Sequence, residues 1–557
     1  MAPQAGILYV TMAPQASLPA AQFHDWYDNE HGPLRLRLPY ITNGFRYRAN
    51  DMDGKDPTKE PEWMAAYDVT DMNEMTKEQY TRLRREPIQT QRERDTMKQI
   101  KVDRKFYDLV LVRTSSNFED IEQIGAQTKD VASVLVARIF TLKEGAKDKE
   151  EEFLKWYDEE HLPMLEKVPG WRRGRVYKSS SIEPVNEVQY LALHNYLPEN
   201  GLGGEEFQAA ISTPWKKDIV ANVIDDRSRR TFDLYYTFGP APRDLAAPAS
   251  LDALASWNYS DGVTKTYKEK ERAIVESYVT TADGAVLPYR LEGSTNPEAP
   301  LIILCNSVLV TWGIWDAFVE HFLSDPKNQH FRILRYNSRG RTANTGSQNI
   351  TLDVLAADII TILDALRVPK AASLFGVSLG GATVLNAALK YPSRVGSFIS
   401  CDTNSKSPAG NSTAWAERID IAEKQGIKAQ SGEPLVGSEL AEKTVRRWFV
   451  PESYDGGVSE KEIQRVKDMV ASNSLDGFKK GVRALFDYDV EGLMRSSKVK
   501  GAFVVGAGDG VLPKTMAEMA KNYGDGVHLA VIDGAGHLPM VEKPREFADV
   551  VERFMAG

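Results

Sequence analysis

The chain has little of several things, and each scarcity removes a class of protein. Two cysteines in 557 residues, Cys305 and Cys401, allow no disulfide framework, and both end predicted buried strands where reduced thiols belong. The eight histidines include no HxH or HExxH spacing, and there is no CxxC, which argues against a protein-bound metal; no cofactor is expected either. No segment approaches the ~18 uninterrupted apolar residues of a membrane span, and Met1-Ala2-Pro3-Gln4 lacks the basic-then-apolar start of a secretory signal. A cytoplasmic protein with no membrane partner is therefore expected. A net charge of −9 without a basic block speaks against nucleic acid as a partner. What remains is an ordinary globular composition, 42% hydrophobic and 26% charged, in a chain too long for one core, so two or three domains are expected.

The first 240 residues contain a repeat. Phe23-His24-Asp25-Trp26-Tyr27-Asp28-Asn29-Glu30-His31-Gly32-Pro33 returns 130 residues later as Phe153-Leu154-Lys155-Trp156-Tyr157-Asp158-Glu159-Glu160-His161-Leu162-Pro163. Around each copy the apolar periodicity predicts a strand, the motif helix, two strands, a second helix and a last strand, over about 5–115 and 131–239. Each half is then a βαββαβ ferredoxin-like unit with helices on one sheet face. Two such units can bury their other faces against each other as a pseudo-dimeric α+β barrel. The motif and element order resemble the EthD-like members of the dimeric α+β barrel superfamily, which hosts decarboxylases, cyclases, cofactor-free oxygenases and proteins of no known activity. Tyr27 and His31, like Tyr157 and His161, are four residues apart on a helix. One reading makes each pair an acid/base set at a barrel mouth, a second candidate site. The other makes the tryptophan and tyrosine core anchors, with the histidine near a helix end that Pro33 or Pro163 stops. A Pro-, Ala- and Ser-rich stretch then predicts a linker over 241–272, with a short helix at 250–257 and a solvated charged face at 265–272.

From about residue 273 strands and helices alternate, and the later strands are continuous apolar runs, as strands buried on both faces should be. Eight strands between Val275 and Ile532 predict an α/β-hydrolase sheet, interrupted at about 403–497 by helical periodicity that reads as a lid. The central signal is Gly376-Val377-Ser378-Leu379-Gly380-Gly381, joining a predicted strand to a predicted helix. A serine between glycines on such a turn is held in a strained conformation with its hydroxyl clear of the sheet, a nucleophile elbow. Asp509 follows a later strand in Gly506-Ala507-Gly508-Asp509-Gly510, and His537 follows the last in Gly534-Ala535-Gly536-His537. A serine hydroxyl is a poor nucleophile until an imidazole takes its proton, and a carboxylate fixes the imidazole's tautomer, so Ser378, Asp509 and His537 are the predicted triad. Asp402, also at a strand end, is a lesser candidate for the acid. The backbone N–H groups of Leu379 and Val308 are the predicted oxyanion hole.

Leu304-Cys305-Asn306-Ser307, Arg335-Tyr336-Asn337-Ser338-Arg339-Gly340, the elbow with Ala382-Thr383, Ser400-Cys401-Asp402-Thr403 and Asp533-Gly534-Ala535-Gly536-His537 resemble 3-oxoadipate enol-lactonases over about 280–556. The resemblance implies ester or lactone hydrolysis by the serine triad. Where that family usually reads Arg-Tyr-Asp-x-Arg-Gly-His-Gly, this chain has Asn337 and Arg341-Thr342. Substrate contacts are expected from Trp312, Trp415 and Trp448, as an aromatic surface closing over the site, and from Arg339 and Arg341 beside a carboxylated substrate. The tryptophans read equally well as lid core. The expected partner is a small lactone or ester. Carbon–carbon bond hydrolysis, a catalytic barrel, a barrel that only stabilises or dimerises, and a homo-oligomer all stay open.

Overall fold

The computed structural model describes residues 4–119, 134–251, 257–259 and 262–556. The chain divides into one unit of Met1–Leu251 with Trp257–Thr264 and another of Asp252–Ser256 with Lys265–Gly557. The expected boundary is thus displaced. Residues 241–251 and 257–264 go with the first unit, and the charged run at 265–272 is not a solvated linker but enters a hairpin of the second. The expected helix at 250–257 lies mostly outside the described residues.

In the first unit the alternating runs form β1 (Gly6–Pro14), β2 (Ile41–Ala49), β3 (Trp63–Val69), β4 (Ile100–Thr114), β5 (Val134–Leu142), β6 (Trp171–Ser179), β7 (Gln189–Tyr196) and β8 (Ile224–Phe238). They close into a barrel in the order β1-β3-β2-β8-β5-β7-β6-β4. Each repeat contributes four adjacent antiparallel strands, and two seams join them: β2 to β8, with Gly44 opposite Phe238, and β4 to β6, with Tyr107 opposite Ser179. The period-two pattern sorts the side chains between three cores. Ile7, Tyr9, Phe45, Tyr47, Leu135, Leu191, Leu193 and Phe232, drawn from both repeats, share one core in the barrel. The alternate faces carry the helices of each repeat, around Trp26, Tyr27 and Tyr67 in the first and Trp156, Tyr157 and Tyr190 in the second.

Both motif helices depart from the expected stop at proline. Ala20–Trp26 widens into a π turn at Tyr27–His31 and continues as Gly32–Leu36; Glu150–Trp156 does the same through Tyr157–His161 into Leu162–Leu165. The wide turn adds a residue of slack, so the chain passes Pro33 and Pro163 without needing their missing N–H.

The second unit contains β9 (Lys265–Glu269), β10 (Arg272–Thr280), β11 (Val286–Gly293), β12 (Leu301–Cys305), β13 (Arg332–Tyr336), β14 (Ser373–Val377), β15 (Ser397–Cys401), β16 (Lys500–Gly506) and β17 (Leu529–Ile532). They lie in the order β17-β16-β15-β14-β12-β13-β11-β10-β9, parallel from β17 to β13 and antiparallel beyond it. Residues β12 to β15 are buried along their whole length, which is why they read as unbroken apolar runs. Ser378, Asp402, Asp509 and His537 therefore follow the carboxyl ends of β14, β15, β16 and β17, four neighbouring parallel strands. Between β15 and β16 the chain forms the lid helices Asn411–Gln425, Ser438–Trp448, Glu460–Ala471 and Leu475–Gly481.

Leu191 has no exposed surface in the barrel core. Leu191→Ala is expected to lower the unfolding free energy of the first unit by about 2–5 kcal/mol, read as a shift of its denaturant midpoint. Val112→Ala, at a side chain 57% exposed, should change it by less than about 0.5 kcal/mol. Equal shifts for the two variants would show that the barrel interior is not a packed core.

Candidate active site

Ser378 has φ 58° and ψ −118°, a left-handed conformation that a residue with a Cβ adopts only when its surroundings enforce it. Three glycines make it possible. A Cβ on Gly376 would lie 2.1 Å from the Gly380 carbonyl oxygen, one on Gly380 2.3 Å from that of Cys305, and one on Gly381 2.6 Å from that of Cys401. The Ser378 N–H donates to the Cys401 carbonyl (2.9 Å), and the Ser378 carbonyl accepts from Ala382 N–H (3.0 Å), which fixes the turn between β14 and the helix Leu379–Lys390. The contact of Gly380 with Cys305 and Asn306 also brings the loop after β12 against the first turn of that helix. In that loop Val308 is buried and Leu309 turns the backbone at φ 70°. Asn306 locks it, donating to the Tyr336 carbonyl (2.8 Å) and accepting from the Trp315 indole (3.0 Å). Asn337 accepts from Trp312 N–H (3.0 Å), so this departure from the enol-lactonase pattern holds the same loop.

His537 Nδ1 lies 2.6 Å from Asp509 Oδ2, the geometry of a ring N–H donating to a carboxylate. The two side chains are 14% and 16% exposed, shielded yet open to a ligand. The Trp448 ring stacks on the imidazole (centroids 5.7 Å apart, planes 24° apart), and its carbonyl accepts the His537 N–H at 2.6 Å. Gly536 is needed there because a Cβ would meet that carbonyl at 2.3 Å. Glu542, which sequence reading passed over, joins lid to loop by accepting from Val450 N–H (2.9 Å) and Gly536 N–H (2.7 Å). Asp402 is buried beneath the pair; one of its oxygens accepts from Gly506 N–H (2.9 Å), and the donor atoms of Asp402, Asp509 and His537 lie within 4.8 Å of one another. Burial, with Asp509 beside it, pushes the Asp402 carboxyl well above the usual carboxylate range. It is Asp509, and not Asp402, that lies within hydrogen-bond distance of His537.

Three of the expected substrate contacts are corrected by their surroundings. Arg339 is buried, and its guanidinium is committed to Asp283 (2.7 and 2.8 Å), Asp358 (2.8 Å twice) and the Thr345 carbonyl (3.0 Å), leaving nothing for a ligand. Arg341 donates to the carbonyls of Leu309 (3.3 Å) and Met469, to Asn473 Oδ1 (3.2 Å) and to Ser472 Oγ (2.7 Å), so it ties the loop after β12 to the lid. Trp415 packs edge-on against Phe478 (6.0 Å) as a lid anchor. Trp448 touches His537, and Trp312 remains half-buried beside the loop.

The tyrosine and histidine pairs of the first unit do not stand at a barrel mouth, because the motif helices pack on the outer sheet face. The Tyr67 hydroxyl donates to that of Tyr27 (3.2 Å), and His31 Nδ1 lies 3.2 Å from Glu93. In the second repeat the Tyr157 hydroxyl is 2.8 Å from His194 Nε2, and His161 stacks on Trp156 at 4.7 Å. Tyr67 and His194 occupy equivalent places, opposite Gly44 and Gly174, so the copies keep one architecture with different partners.

The second unit has the α/β-hydrolase fold: residues 300–429 match the family model described as alpha/beta hydrolase fold, and the strand-end placement of the site agrees with it. Two relatives are 3-oxoadipate enol-lactonases 1 and 2 of Acinetobacter baylyi. The first is 28% identical over 280 residues, covering 50% of this chain and 96% of that protein. The second is 26% identical over 276 residues, covering 49% and 95%. The solved enol-lactonase from Burkholderia xenovorans LB400 is 22% identical, with a TM-score of 0.44, and covers 50% of this chain and 100% of its own.

Burial pushes His31 down to about 4 and His194 to about 3, and it holds His161 well below its ordinary value. Groups depressed on folding contribute stability that is full above about pH 6.5 and is lost as pH falls toward the folded values, at about 1.4 kcal/mol per pH unit for each histidine. The first unit is expected to lose stability between pH 6.5 and 4, and His194→Gln to lose less over that interval. Denaturant midpoints that do not change across the interval would contradict this linkage.

Proposed function

We propose that the second unit is a serine hydrolase that opens a lactone or ester of a small oxygenated metabolite. The 2.6 Å contact between His537 and Asp509, two strand ends along from a serine in a strained turn, carries the reading. The relatives named as enol-lactonases support the same class of bond. Ser378 Oγ attacks the carbonyl carbon, and its proton passes to His537 Nε2. Asp509 stabilises the imidazolium that forms. The oxygen that becomes negative accepts hydrogen bonds from the N–H groups of Leu379 and Val308. As the C–O bond breaks, His537 returns the proton to the leaving oxygen; water, deprotonated by His537, then releases the acid from Ser378.

The fused barrel resembles EthD-like tandem units, and we assign its tyrosine and histidine pairs to the fold. Tyr27, His31, Tyr157 and His161 are each at least nine-tenths buried and in ring contact with tryptophan, tyrosine or histidine, which supports anchoring over turnover.

Ser378→Ala is expected to lower kcat/KM for 4-nitrophenyl butyrate and γ-lactones by at least 10³-fold, and His537→Gln similarly, with circular dichroism unchanged. Tyr157→Phe should leave both rates within twofold. A Ser378→Ala protein with more than a few per cent of the wild-type rate would exclude this mechanism.

A further inference from the structure

The barrel of the first unit is not filled to its end. A cavity of about 510 Å³, within the range of small-molecule sites, opens where Tyr9 of β1, Ile139 of β5 and Phe232 of β8 carry the barrel core outward. Lys55, Lys59 and Glu60, from the connection between β2 and β3, form part of its rim. Both repeats therefore build it, and neither sheet alone encloses it.

The two walls differ. The strand order repeats after four strands, so a half-turn about the barrel axis carries β1 onto β5 and β4 onto β8. The two ladders end in matching pairs, Pro14 with Ile100 and Leu142 with Ile224. Counted from those pairs, Tyr9 corresponds to Ala137 and Thr11 to Ile139. The first repeat thus places two hydroxyl groups where the second places apolar side chains. Two identical subunits would set the same residue twice about the axis, and only a fused chain can give this end one polar and one apolar side.

The polar side is rich in donors. Tyr9 is 4% exposed, and among the described residues its hydroxyl has no hydrogen-bond partner. Burial pushes that hydroxyl above its ordinary value, so it stays protonated and can donate. Arg230, 9% exposed, gives Nε and Nη2 to Asp51 (3.0 to 3.1 Å), while Nη1 has no partner among the described residues. Lys59 forms no ion pair there either. The other cations at the cavity are answered: Lys55 by Asp51 (3.1 Å) and Glu60 (2.8 Å), Lys105 by Asp103 (3.4 Å), and Arg227 by Glu187 (3.2 Å) and Asp225 (3.3 Å). Those pairs hold the walls. What remains facing the space is a set of donors without acceptors, beside the apolar surface of Ile139 and Phe232, and a shielded donor left unpaired is a cost that a bound acceptor removes.

We propose that this end of the barrel binds a small organic anion, a carboxylate carried on an apolar ring or chain, with the carboxylate at Tyr9 and Arg230 and the apolar body against Ile139 and Phe232. The site is separate from the hydrolase centre and does not depend on its chemistry.

Titration calorimetry on the full chain can compare cinnamate with cinnamamide, which share the apolar body and differ in the charge. Cinnamate is expected to bind with a Kd below about 1 mM, and the amide at least about tenfold more weakly. Tyr9→Phe, which keeps the ring and removes the hydroxyl, should weaken cinnamate about tenfold and the amide less. Ile139→Trp should fill the cavity and abolish binding of both. Cinnamate should slow hydrogen exchange in 6–14 and 224–238, and not in the helix Leu379–Lys390. No binding of cinnamate up to about 5 mM, equal affinity for acid and amide, an unchanged Kd in Tyr9→Phe, or protection confined to the second unit would each overturn the assignment. Inorganic phosphate bound as tightly as cinnamate would overturn it too, since the apolar body would then contribute nothing. If Ile139→Trp fails to fold, Tyr9→Phe decides alone.

Discussion

The site depends on one backbone residue held where an L-amino acid rests only under constraint. The left-handed conformation of Ser378 costs on the order of 1–3 kcal/mol and persists because β14, β15 and the following helix leave the chain no other path. Its consequences spread through contacts that only glycine permits. Gly380 lets the helix start against Cys305 and Asn306, which sets the loop bearing Val308. Gly381 lets it approach Cys401, which carries Asp402 to the next strand end. The remaining groups are then placed by strand order alone.

A second constraint joins the lid to this centre. The Trp448 carbonyl holds His537 N–H, Glu542 bridges Val450 and Gly536, and Arg341 links the Leu309 carbonyl to Met469, Ser472 and Asn473. These are buried or half-buried polar contacts whose loss leaves charged or polar groups without partners, at about 1–3 kcal/mol each. The lid is therefore fixed both at His537 and at the loop that bears Val308 and Leu309.

Sequence legibility followed the range of each interaction. The elbow, the strand ends and the repeat were legible because they are short, local patterns: a serine between glycines, an apolar run followed by Gly-x-Gly-Asp, a motif returning after 130 residues. Barrel closure was legible from the repeat because each half left one sheet face apolar. What failed was tertiary. Nothing near Arg339 in sequence announces Asp283 and Asp358, 56 and 19 residues away, and nothing near Arg341 announces a lid segment 128 to 132 residues later. Pro33 and Pro163 looked like helix stops because a π turn has no sequence mark of its own. The charged run at 265–272 enters a hairpin through Lys265–Glu269 and Arg272, a pairing that its charge concealed.

The most direct measurement is the identity of the residue that becomes acylated. Rapid quenching of the wild type with a chromogenic ester, followed by peptide mass spectrometry, should find one acyl adduct, on the peptide containing Ser378, appearing in a burst and absent after labelling with a fluorophosphonate. Ser307 is the instructive competitor, since its hydroxyl is buried without a partner one residue before Val308. An adduct on Ser307 or elsewhere, or steady turnover with Ser378 never modified, would contradict the account.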